Sequence, residues 1–131
     1  MIGHIILFLI VLTLAVIVHE FGHWWFFKHY FNRDVSFYVN WLPTKIPGVK
    51  IPEIIVGNDK DYKILSDKDK MSLYVTGIMF GFLPILMASA FVSVWYTFLI
   101  VLYVHGCSSD MNELFRLVKN RQKELAKVLK R

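Results

Sequence analysis

Cysteine is nearly absent from this sequence, and charge is missing from long parts of it. The single cysteine, Cys107, cannot close an internal disulfide, so no stapled fold and no oxidising compartment is implied. Between Ile2 and Val18 the only acidic or basic residue is His4, and between Met71 and Val104 there is none. A soluble domain of 131 residues would alternate apolar and polar positions, whereas here 56% of residues are hydrophobic. Uncharged apolar runs of about 18 residues or more read as membrane spans, because about 20 helical residues cover the hydrocarbon core. The first run also lacks a basic flank before it and a small-residue cleavage pattern after it, which argues against a secretory signal. Trp24, Trp25, Phe26 and Phe27 follow instead, in the manner of an interfacial aromatic belt, with Lys28 and Arg33 just beyond. The net charge of +5 does not point to nucleic acid: every Lys and Arg lies in segments 28–70 and 116–131, a distribution that fits the positive-inside rule.

What is present orders itself along the chain as one membrane-embedded domain, residues 1–131. A first span is expected over 2–30. The loop 31–70 holds Pro43, Pro47 and Pro52 and an alternating stretch, Val35-Ser-Phe-Tyr-Val-Asn-Trp41, that predicts a short strand; Ile54-Ile-Val56 suggests a second. Gly57-Asn58-Asp59 reads as a turn, and Ser66 with Asp69 as a helix cap. The apolar run from Met71 lasts 34 residues, roughly 50 Å as one helix, where a span needs about 30 Å. Two spans, 71–89 and 92–110, with a turn near Ala88–Ser93, therefore fit better. The stretch 111–131 is amphipathic, with Met111, Leu114, Phe115, Val118, Leu125, Val128 and Leu129 on one stripe and the Lys and Arg side chains, Lys130 among them, elsewhere; it predicts a helix on an anionic membrane surface. The expected architecture is an all-α integral membrane protein: three transmembrane helices, a short β-containing cytoplasmic loop and a C-terminal amphipathic helix. Both basic segments then share one face, the cytoplasmic one, of a multi-pass cell-membrane protein.

Near the end of the first span stands His19-Glu20-Phe21-Gly22-His23. Histidines at i and i+4 lie about one turn apart on one helix face, so both imidazoles can reach one zinc ion. Glu20, between them, is placed to hold a water and take its proton. Ionisable groups inside a span cost roughly 2.5–3.5 kcal/mol each by insertion scales, and a metal would compensate for the cluster; pairing with other polar side chains is the plainer alternative. A catalytic zinc takes three protein ligands, and the end of the third span offers Asp110, His105 and Cys107. Depth favours Asp110. His19 lies about 27 Å along the first helix and Asp110 about 30 Å beyond the proposed turn, which puts both near one membrane face.

An HExxH element on a membrane helix, followed by a later span ending in aspartate, resembles the site-2 protease family of intramembrane metalloproteases. The order of parts is closest to its short bacterial branch of zincin-type peptidases, with Phe82-Leu83-Pro84-Ile85 and Gly106-Cys107-Ser108-Ser109-Asp110-Met111 standing where a proline-containing span and a small-residue run ending in aspartate are expected. The resemblance implies His19, His23 and Asp110 as zinc ligands and Glu20 as catalytic base. It departs from the larger members in two places. Ser109 and Met111 flank Asp110 where they carry Leu and Gly, and Gly77-Ile-Met-Phe-Gly81 has glycine where they tend to carry asparagine. Ser108 or Asn112 could stand in as the missing polar donor.

The expected activity is thus hydrolysis of peptide bonds in membrane-embedded proteins or peptides, with Zn2+ as cofactor and the bilayer and a transmembrane substrate as partners. The strand around Val35–Trp41 offers an edge to which an unwound substrate could add, or serves simply as a lid over the site. Gly77 and Gly81 form a small-xxx-small pair suited to close approach of the second span to Gly22. Two other functions suit the same residues: a catalytically silent zinc-bound scaffold or regulator, and a metal-ion carrier. An intact Glu20 disfavours the first, and the small number of spans disfavours the second.

Overall fold

A computed structural model of the chain describes residues 2–129; Lys130 and Arg131, expected to continue the C-terminal helix, lie outside them. The chain is mostly helical, with one two-stranded sheet. In order come α1 (Ile2–Tyr30), β1 (Phe37–Pro43), β2 (Lys50–Val56), α2 (Asp59–Lys63), α3 (Asp67–Phe91), a 3₁₀ turn (Val94–Phe98), α4 (Leu99–Gly106) and α5 (Ser108–Leu129). Two of these, α1 and α3, are long and apolar enough to cross a membrane.

α1 and α3 form the central pair. The residues that α1 buries (Val11, Ala15, His19, Gly22, His23, Phe26 and Phe27) recur every three or four positions and so line one face. α3 answers with Leu73, Gly77, Ile78, Gly81, Ile85 and Ala88. At Gly22 the backbones nearly touch, since a Cβ there would lie 3.1 Å from Gly77 Cα and 2.9 Å from Phe80 Cβ. The expected approach of Gly77 to Gly22 is what the helices make. Along this pair lie two apolar clusters. One gathers Val11 and Ala15 with Ile85, Ala88, Tyr96, Leu99 and Tyr103; the other gathers Phe26 and Phe27 with Val35, Val56, Leu65 and Leu73. His19 and His23 fall in the interval between them.

α3 is capped by Ser66, whose hydroxyl accepts from Asp69 N–H, five residues before the apolar run begins. It runs through Pro84 to Phe91. The chain reverses at Val92 and Ser93, whose N–H groups both donate to the Ala88 carbonyl, within the interval expected for the turn. The span expected at 92–110 is divided. Val94–Phe98 winds as 3₁₀ helix, α4 is eight residues long, and the helix breaks at Cys107. Together the 3₁₀ turn and α4 rise roughly 22 Å, short of the about 30 Å of a span. The cause is local: β-branched and aromatic side chains crowd 94–98, and Gly106 weakens the helix end. Asp110 consequently stands in the first turn of α5, not at the end of a span.

The strands pair antiparallel, Phe37 opposite Val56 through Pro43 opposite Lys50, so β1 begins two residues later than the alternation suggested. Ser36 accepts from Gly57 N–H and Thr44 donates to Val49 carbonyl at the two ends of the ladder. Since hydrogen-bonded pairs alternate with non-bonded ones, Tyr38, Asn40 and Leu42 bond β2, while the backbone groups of Phe37, Val39 and Trp41 point to the free edge. Gly57, at φ +75, makes the expected turn, but Asn58 then caps α2, a helix the sequence did not suggest. Tyr62, within α2, donates to the Val56 carbonyl (2.9 Å); burial pushes its pKa up and keeps it a donor.

Candidate metal centre

The helical repeat of α1 stacks His19 and His23 on its buried face, where the residues are only 4% and 3% exposed. Their Nε2 atoms lie 3.1 Å apart. Asp110 Oδ2 reaches in from α5, 3.0 Å from His19 Nε2 and 2.9 Å from His23 Nε2. The carboxylate and the two rings expected to converge do so, over sequence separations of 91 and 87 residues.

The far side of each ring is also held. His23 Nδ1 lies 3.1 Å from the Leu73 carbonyl oxygen, which can only accept, so Nδ1 carries a hydrogen and donates it. Nε2 of the neutral ring is then a bare lone pair aimed at the triangle. His19 Nδ1 lies 2.8 Å from the Tyr103 hydroxyl. Gly77 makes room for the His23 ring: a Cβ at that position would meet ring atoms at 2.4 to 2.8 Å. The glycine read as a packing residue is therefore the seat of this imidazole.

Two imidazole nitrogens and a carboxylate oxygen suit zinc. At bond lengths of about 2.0–2.1 Å, tetrahedral donors stand about 3.3 Å apart, so the observed edges of 2.9–3.1 Å are a few tenths of an ångström tight. A shared proton can serve one or two edges of such a triangle, whereas a divalent cation serves all three. These donor atoms, all within 4.8 Å of one another, make up a group able to hold a metal.

Glu20 points beside the triangle, with Oε1 3.8 Å from His19 Nε2. It is largely buried and lines a cavity of about 650 Å³ bounded by α1, the hairpin and the α4–α5 junction. Its walls are mainly apolar (Leu12, Val16 and Ile17 face Leu42 and Ile51), and Glu20, His19 and Asp110 open into it.

The other candidates fall elsewhere. His105 is exposed and outside the group. Cys107 is buried, but its Sγ lies 3.7 Å from His19 Nδ1, the nitrogen turned away from the triangle. His4 and His29 are exposed. Ser108 and Asn112 do not line the cavity; Ser109 does, and so does Glu53 from β2. Neither was legible beforehand, because both depend on where the α4–α5 break and the hairpin are placed in space. Tyr103 was likewise missed, an aromatic within an apolar run. No protein-family model matches the chain, and comparisons with characterised proteins and with solved structures give no match.

Proposed function

We propose that this protein is an intramembrane zinc metalloprotease of the site-2 protease type, cleaving peptide bonds of membrane-embedded substrates. The observation that carries the reading is the placement of Glu20 beside the His19–His23–Asp110 triangle, lining a mainly apolar cavity. A silent scaffold needs the three donors but has no use for a buried carboxylate aimed into the same space.

In this reading His19, His23 and Asp110 hold the ion, which when bound supplies the Lewis acidity that activates water and polarises a carbonyl near neutral pH. Glu20 takes the proton of the attacking water and passes it to the leaving amine. The apolar walls limit water to what the reaction consumes. The free edge of β1 offers an unwound substrate main-chain partners in register.

The membrane placement belongs to the same proposal. α1 and α3 cross the bilayer, and the 3₁₀ turn with α4 and the first turn of α5 makes a third, shorter pass. The basic segments lie on the cytoplasmic side. The hairpin does not project into water: Leu42 and Ile51 share the cavity with Leu12 and Thr13, roughly 10 Å deeper along α1 than His19. Its exposed Phe37, Val39, Trp41, Ile46 and Ile51 suit a segment that re-enters the membrane boundary.

Wild type, Glu20→Gln and His23→Ala, purified in detergent, test the reading by bound zinc and by cleavage of membrane-peptide fusions. Glu20→Gln is expected to keep zinc and lose turnover; His23→Ala is expected to lose both. Normal cleavage by Glu20→Gln sinks the mechanism, and a wild type that binds zinc without cleaving any fusion favours the scaffold.

A further inference from the structure

Tyr103 is among the most completely buried side chains of the fold, at 1% exposure, and its hydroxyl is surrounded by polar atoms. It lies 2.8 Å from His19 Nδ1, 3.1 Å from the Ile78 carbonyl oxygen and 3.4 Å from that of Gly77. A phenol has one hydrogen to give. The α3 carbonyls can only accept, so satisfying both sides sends the phenolic hydrogen to Ile78 and turns an oxygen lone pair toward His19. His19 Nδ1 then carries a hydrogen, and Nε2 is left bare toward His23 and Asp110. The reverse orientation would put the hydrogen on Nε2, in the middle of the triangle, where His19 could not ligate. Cys107 Sγ, at 3.7 Å, is a longer and weaker acceptor for the same nitrogen.

We infer that Tyr103 is a positioning residue: a relay from His19 Nδ1 through the Tyr103 hydroxyl to the α3 backbone fixes the tautomer and ring plane in which His19 offers Nε2 to a divalent ion. This rests on the metalloprotease reading for the ion, though not for the tautomer. Gly81 makes the relay possible, because a Cβ there would sit 2.0 Å from the Tyr103 hydroxyl oxygen and 2.3 Å from Cζ. The two glycines of α3 thus divide one task, Gly77 seating the ring of His23 and Gly81 seating the residue that orients His19. Tyr103 and Asp110 come from the same stretch of chain, seven residues apart, and grip opposite edges of one imidazole. Outer partners of this kind typically alter metal affinity by roughly 10- to 100-fold when removed.

The test compares wild type, Tyr103→Phe and, as control, Tyr62→Phe, which deletes a partly buried hydroxyl that donates to the Val56 carbonyl and bonds to neither histidine. Zinc affinity is measured by chelator competition, and the histidine tautomers are read from nitrogen chemical shifts of 15N-histidine-labelled, metal-free protein. Tyr103→Phe is expected to weaken zinc roughly 10- to 100-fold and to remove the Nδ1–H signature of His19 while keeping that of His23; Tyr62→Phe is expected to change neither. A Tyr103→Phe protein with wild-type affinity and an unchanged His19 tautomer overturns the inference. If wild type itself binds no zinc, the metalloprotease reading falls, and the labelled spectrum still decides the relay.

Discussion

His19, His23 and Asp110 present three lone-pair-bearing atoms to one another at hydrogen-bond distance, and what keeps them there is the packing behind them. The Leu73 carbonyl holds His23 by its Nδ1–H, so that ring cannot swing away from a new neighbour. Gly77→Ala would bring a Cβ to 2.4 Å from Cε1 and 2.6 Å from Nε2, forcing the ring or α3 to shift. We expect this variant to lose zinc and to be destabilised by roughly 1–3 kcal/mol, as overpacked sites are. Gly106→Ala, where an added Cβ meets nothing within 4 Å, should keep its zinc. Zinc content and thermal unfolding of both proteins check this; a Gly77→Ala protein that retains zinc would mean the ring has freedom the geometry denies it.

Among the elements, the hairpin carries a sharp prediction. The backbone N–H of Val39 lies on the free edge of β1, between the residues that bond β2. Proline there removes a donor from that edge without deleting a ladder bond. Val39→Pro should therefore reduce cleavage and leave zinc content unchanged, whereas Asn40→Pro, which removes a ladder donor, should disrupt the hairpin as well. Cleavage assays with circular dichroism separate the two; full cleavage by Val39→Pro would reduce the hairpin to a lid. α5 has a different part. Leu117 is buried in it and Met111, Leu114 and Val118 are half-buried, while Phe115, Leu125, Val128 and Leu129 are exposed, so the helix that brings Asp110 packs along its first half and leaves the apolar residues of its second half uncovered.

For the whole molecule, an ion held by the triangle would tie α5 to α1, two helices that the chain brings together only at this site. α1 and α3 pack along their lengths, whereas α5 packs chiefly on α3 and reaches α1 through Asp110 at the triangle. A ligand that binds only the folded state stabilises it by mass action, about 2.7 kcal/mol at a hundredfold excess over its Kd. Removing zinc from the wild type with a chelator should lower the unfolding temperature, and re-addition should restore it. His23→Ala should respond to neither treatment. A chelator-independent wild type would argue that the triangle is held by protons and packing alone.

By itself the sequence determined the two long apolar helices, the i and i+4 histidines with a carboxylate between them, the capped start of α3 and the presence of strands in the loop, because each is set by local periodicity or by side chains a few positions apart. It also pointed to Asp110, although the depth argument took 92–110 as one continuous helix, which the 3₁₀ turn and the break at Cys107 divide. Only the tertiary structure decided the rest. The third apolar stretch is a 3₁₀ turn and a short helix, since crowding at 94–98 outweighs hydrophobicity in setting the winding. Gly77 and Gly81 are seats for His23 and Tyr103, and Ser109 and Glu53 line the cavity, because those contacts join residues 22 to 54 positions apart or elements placed by the hairpin. A ring's tautomer, and with it the direction of its lone pair, depends on which carbonyl or hydroxyl lies behind it, and no spacing along a single chain encodes that.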